Sequence, residues 1–199
     1  MSAPTPAPAP APDARARART ETGTGQITGE ATGASDIPAG GRAQDVNGAS
    51  DPALVAVGDR VLQRIDYPWR ERLAGWDITF MGPRPGFLGA TITNERRIEI
   101  YVDGQRSVDE LAFTVAHELG HAVDLTLLNG TERDGWLAAR GVPGEAWWAA
   151  NAESDYAVGA GDWAEAFAVW QLGGSGYSTL AGPPTPSQLA LLARLSFGD

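Results

Sequence analysis

The sequence predicts an α+β domain over residues 51–199, preceded by an Ala/Pro/Gly-rich arm at residues 1–50. Three observations lead there. Composition changes near residue 50, where large apolar side chains first become frequent. Residues 97–102 (RIEIYV) alternate with the two-residue period of a strand. Residues 108–128 follow a helix-start signature and lie between polar boundaries typical of an amphipathic helix.

The arm is rich in Ala, Pro, Gly, Thr and Ser, so it has too little apolar surface to offset the entropy of ordering and is expected to be disordered. Its alternating Arg15, Arg17 and Arg19 read as a solvated linker rather than an acidic-partner site. Across the chain 25 acidic residues face 15 basic ones, giving a net charge of −10. Such a surface repels a phosphate backbone, so no nucleic-acid partner is expected. There is no cysteine, which excludes disulfides and thiolate metal sites. No run approaches the roughly 20 apolar residues of a membrane span. No Sec-type signal is evident, so the expected location is cytoplasmic, or outside the cell by another export route.

Within the domain, residues 52–74 place Leu54, Val57, Val61, Leu62 and Ile65 at helical spacing. Trp76 to Phe80 reads as a strand, and Gly82 to Gly86 as a Gly/Pro loop. Residues 88–94 and 97–102 form an expected hairpin turning near Asn94-Glu95, with Ile98, Ile100 and Val102 on one face and Arg97, Glu99 and Tyr101 on the other. Ser107-Val108-Asp109-Glu110 is a capping box for a helix running to about Leu128, closed by Asn129-Gly130. Residues 131–160, with Trp136, Trp147 and Trp148, read as irregular. A second helix begins at Gly161-Asp162 and runs to about Leu172, and a terminal helix covers 186–196. No internal repeat is present.

The first of these helices contains His117-Glu118-Leu119-Gly120-His121, and the chain has only these 2 histidines. Positions i and i+4 share one helix face, so both imidazoles can grip one ion, typically zinc, with Glu118 beside the open coordination position as general base. Gly120 costs about 1 kcal/mol relative to alanine in a helix interior, which fits a close approach by another segment. Zinc needs a third protein ligand. The longer motif with a third histidine is excluded, because Asp124 and Leu127 stand where it needs Gly and His. The third ligand is therefore a carboxylate. Glu165 is favoured and Asp162 is the alternative; the two share a face of the second helix, where they also read as cap residues. Glu153 lacks the companion acid four residues later that a thermolysin-type ligand requires. Asp124 either orients a histidine or faces solvent, with solvent favoured, and the tryptophans read as core.

The run HELGHAVD (117–124), followed by WAEAF (163–167), resembles the gluzincin peptidases of the anthrax lethal factor type, over about residues 110–170. That resemblance implies a zincin-like fold, with a small mixed sheet packed on the active-site helix. It implies zinc on His117 and His121, Glu118 as base, a glutamate from the second helix, and Tyr156 stabilising the oxyanion. This chain departs from the pattern at Gly161, where family members carry the ligand glutamate. Strict superposition makes Glu165 a partner of a ligand and leaves the third position vacant or filled by Asp162; a register shift puts Glu165 on the metal. The expected function is a zinc-dependent endopeptidase acting on a protein or peptide. The alternative is a zinc-stabilised, non-catalytic interaction module, and an injected effector protease is a third option. The sequence does not specify the oligomeric state.

Overall fold

The computed structural model describes residues 51–149 and 155–198, together with the backbone of Arg42 and Ala43. The expected disorder of residues 1–50 otherwise falls outside the described residues. The architecture is mixed α+β. Helix α1 (Pro52–Leu62) begins at Asp51, whose carboxylate accepts from the Ala53 amide. The expected helix over 52–74 is broken: α1 ends at Leu62 with Gln63 at its C-cap, and Pro68, which disfavours helical backbone at Tyr67, keeps the next turn separate. A single turn, α2 (Trp69–Arg72), follows Pro68.

A two-residue strand β1 (Arg42–Ala43) flanks three longer strands: β2 (Asp77–Met81), β3 (Gly89–Ile92) and β4 (Arg97–Tyr101). Their order is β1-β2-β4-β3, with β2 parallel to β4 and β3 antiparallel to β4. The hairpin turns at Thr93–Glu95 as expected, with Arg96 in the left-handed region. Ile78, Phe80, Ile98 and Ile100 are fully buried on the face that meets the long helix α3 (Val108–Leu127). Burying each such side chain contributes roughly 1.5–3 kcal/mol. Glu99 and Tyr101 on the opposite face are also buried, held by Arg97 and Arg84.

Helix α3 has the expected reciprocal box between Ser107 and Glu110. The next segment corrects the sequence reading. Residues 131–160 are not wholly irregular, because α4 (Gly130–Ala139) starts directly after α3. Leu128 is the C-cap of α3, and Asn129 caps α4, its side chain accepting from the Glu132 amide while Glu132 accepts from the Asn129 amide. Only Trp136 and Leu137 of α4 are buried, which is why apolar periodicity did not reveal it. Helix α5 (Gly159–Leu172) begins earlier than expected, with Val158 at its N-cap rather than Asp162. Helix α6 (Pro186–Ser196) closes the domain. Trp136 and Trp163 meet edge-to-face at 5.2 Å in the core, confirming their expected role there.

Candidate metal centre

Helices α3 and α5 cross at Gly120. A methyl group there would lie 2.7 Å from the Ala164 Cα, so the absent side chain lets the backbones touch. Trp163 fastens the crossing by donating from Nε1 to the Gly120 carbonyl at 2.9 Å. The approach brings Glu165, on α5, to His117, on α3.

The imidazoles of His117 and His121 converge, with Nε2 atoms 3.2 Å apart. The third member of the cluster is Asp155, on a short 3-10 turn (Asp155–Ala157) ahead of α5. Its Oδ2 lies 3.2 Å from His117 Nε2 and 2.9 Å from His121 Nε2. These three buried residues form a group that can hold a metal ion. A tetrahedral ion with zinc-like bond lengths requires ligand atoms about 3.3–3.6 Å apart, slightly wider than this triangle. Two nitrogens and one carboxylate oxygen suit a borderline divalent ion.

Glu165 is not in the converging group. Its Oε1 lies 2.7 Å from His117 Nδ1, on the far side of the ring. A carboxylate there favours the Nδ1–H tautomer and leaves Nε2 free to bind a metal. Asp162 is elsewhere altogether. Its carboxylate accepts from Arg140 Nε and Nη2 at 2.8 and 2.9 Å, from Trp136 Nε1 at 3.0 Å and from Ser178 Oγ at 2.7 Å. Asp155, rather than the expected Glu165 or Asp162, is thus the carboxylate that the structure gathers with the two histidines. Gly161 explains the exchange. A Cβ at that position would overlap the Asp155 carbonyl, so the glycine makes room for the Asp155 turn. The sequence offers no local sign of this, because the contact depends on how the 3-10 turn folds against α5.

The electrostatics match a cation site. Burial disfavours charge on His117, yet its hydrogen bonds to the Asp155 and Glu165 carboxylates outweigh it and hold the ring well above the ordinary histidine range. His121 is also raised: burial opposes protonation, and the negative charge of Asp155 outweighs it. Burial alone would raise Asp155, but the two histidines hold it far below the usual carboxylate range. A divalent cation replaces two imidazolium protons without changing the net charge of the site.

Glu118 faces the sheet. Its Oε2 accepts from Thr91 Oγ1 at 2.8 Å, and a methyl group at Gly89 would stand 2.8 Å from its Oε1. Thus β3, an edge strand, both orients Glu118 and leaves it space. The Tyr156 ring lies 5.6 Å from the His117 ring, at a 56° tilt. Asp124 is fully buried rather than solvent-facing. Its Oδ1 accepts from Arg133 Nε at 2.7 Å and its Oδ2 from Trp147 Nε1 at 2.9 Å, so it anchors α4 and the 147 loop rather than a histidine. Glu153 lies outside the described residues.

Comparison with family models, with curated proteins and with solved structures finds no match to this chain. Among the described residues no helix is long and apolar enough to cross a membrane.

Proposed function

We propose that this chain is a zinc-dependent endopeptidase with a zincin-like arrangement of sheet and active-site helix. The observation that carries the proposal is the convergence of His117, His121 and Asp155 beside a glutamate oriented by an edge strand. Three protein donors leave a coordination position for water, as catalytic zinc sites do and closed structural sites do not. This favours the enzyme over a non-catalytic zinc module.

His117, His121 and Asp155 would hold the ion, and Glu165 fixes the His117 ring. Zinc, when bound there, would supply Lewis acidity to activate water and to polarise the scissile carbonyl. Glu118 accepts the proton of the attacking water and delivers it to the leaving amine. Thr91 holds Oε2 of that carboxylate, so Oε1 is the oxygen assigned to proton transfer. Tyr156 is assigned as a donor to the developing oxyanion. Strand β3 offers its outer main-chain groups to an extended peptide, by strand addition. The substrate is accordingly a protein or peptide segment in extended conformation.

The test pairs metal content with turnover, on full chain purified without added metal and on chain reconstituted with Zn2+. Wild type is expected to hold one zinc, Asp155→Ala to hold none, and Glu118→Gln to keep the zinc while losing hydrolysis of a fluorogenic casein-peptide mixture. Absence of zinc after reconstitution, or retained hydrolysis in Glu118→Gln, would sink the proposal.

A further inference from the structure

After α5 the chain turns back through Gly173-Gly174-Ser175-Gly176-Tyr177-Ser178-Thr179 and lies against both elements that complete the metal centre. The Tyr177 amide donates to Glu165 Oε2 at 2.5 Å, while the other oxygen of the same carboxylate holds His117. The Thr179 amide donates to the Tyr156 carbonyl at 2.8 Å and its hydroxyl to the same oxygen at 3.0 Å. That carbonyl belongs to the residue directly after Asp155. Ser178 Oγ adds a third tie, to Asp162. The Tyr177 ring meets Phe113 edge-on at 5.9 Å, one helical turn before His117 on α3.

One segment thus grips the carboxylate that orients a ligand histidine and the peptide that carries the ligand aspartate. We propose that this 173–179 strap is a positioning element of the metal centre, acting through the Tyr177 amide on Glu165 and through Thr179 on the Asp155 turn. The inference rests on the reading of His117, His121 and Asp155 as a metal site. Gly176 is the residue that permits it. Its φ of +71° lies in the left-handed region, and a Cβ there would stand 3.2 Å from Glu165 Oε2 and 3.2 Å from Val169 Cγ2. A side chain at 176 therefore strains the turn and presses on the gripped oxygen together. Gly174 separates these effects: its φ is +91°, but a Cβ there would meet nothing within 4 Å.

A hydrogen bond to a ligand-orienting carboxylate acts on the metal through that ligand. Loss of such outer partners typically weakens metal affinity by about 10–100-fold. The experiment uses full chain and measures Zn2+ dissociation constants by chelator competition, the visible spectrum of the Co2+-loaded protein, and thermal unfolding of the metal-free protein. Gly176→Val is expected to weaken Zn2+ binding by about tenfold or more and to alter the Co2+ bands. Thr179→Val is expected to weaken binding by a smaller factor, with metal-free unfolding close to wild type. Gly174→Ala is expected to bind both metals as wild type does. Unchanged affinity and spectrum in both Gly176→Val and Thr179→Val would overturn the proposal. So would equal damage from Gly174→Ala, which would make the segment a structural cover. Failure of wild type to take up either ion would instead remove the metal-site reading on which the proposal stands.

Discussion

Replacing Gly120 by alanine adds one methyl group where α3 touches α5. Unperturbed carbon atoms pack at about 3.5–4.0 Å. The new Cβ would sit 2.7 Å from Ala164 Cα, 3.1 Å from Phe167 Cβ and 3.2 Å from Ala164 Cβ. All three neighbours are a backbone atom or a Cβ fixed by it, so no side-chain rotation relieves the overlap. The helices must separate by about 1 Å to restore ordinary contact. Helix propensity favours alanine by about 1 kcal/mol, while overpacking a rigid core costs about 1–3 kcal/mol. The net expectation is a loss of about 0–2 kcal/mol, or up to about 8 °C in Tm at roughly 2–4 °C per kcal/mol. The metal centre is the more sensitive reporter. Glu165 follows Ala164 directly, and its 2.7 Å contact with His117 Nδ1 is lost if α5 moves by that amount. Zinc affinity should then fall by about 10–100-fold. Thermal unfolding of metal-free protein, followed by circular dichroism, reads the first effect, and chelator competition reads the second. A variant that gains stability from alanine's helix propensity and binds zinc as wild type does would show that the two helices do not meet this closely.

Three further outcomes are expected. Asp162→Asn should cost on the order of 3 kcal/mol, because it removes the buried charge that pairs with Arg140, yet leave zinc stoichiometry at the wild-type value; loss of zinc with folding intact would restore Asp162 as a ligand. Thr91→Val should lower kcat by about tenfold, with Thr91→Ser restoring it and zinc content constant, since only the hydroxyl that orients Glu118 is deleted; an unaltered kcat would remove Thr91 from the mechanism. Tyr67 is raised by burial to about 12, and its hydroxyl donates to the Ser196 carbonyl at 2.8 Å. With an unfolded pKa of about 10, the folded state binds this proton more tightly. The stabilisation is thus complete below about pH 10 and is lost as pH rises towards 12, amounting to roughly 2–3 kcal/mol. Tyr67→Phe should cost about 1 kcal/mol at neutral pH and flatten the alkaline fall in stability relative to wild type; denaturant titrations at pH 9 and pH 12 showing the same fall in both would exclude this role.

Much of the architecture was legible because its signals are local. The Ser107-Glu110 box, the alternation over 97–101 and the 186–196 extent of α6 each need only a few neighbouring residues. Helix α4 was hidden although its Asn129-Glu132 box is equally local, because just two of its side chains are buried and the apolar period is weak. The alternation of β4 was also an incomplete guide to burial. Arginines 84 and 97 satisfy the polar groups of Tyr101 and Glu99 on the face that alternation assigns to solvent. Asp124 went underground for the same reason: Arg133 and Trp147 supply partners that no sequence pattern places beside it.

The sequence by itself determined the pairing of His117 and His121 on one helix face, with Glu118 between them, because the 3.6-residue repeat makes that placement automatic. It also marked Gly120 as a point of close approach. Only the tertiary structure decided the third member of the cluster. Asp155 reaches the histidines because Gly161 leaves room for its turn, while Glu165 is carried to the opposite side of the His117 ring and Asp162 is drawn to Arg140. Those assignments depend on how α4, α5 and the 3-10 turn pack in three dimensions. Residues widely separated along the chain become neighbours only when backbone contacts and buried charges are satisfied together.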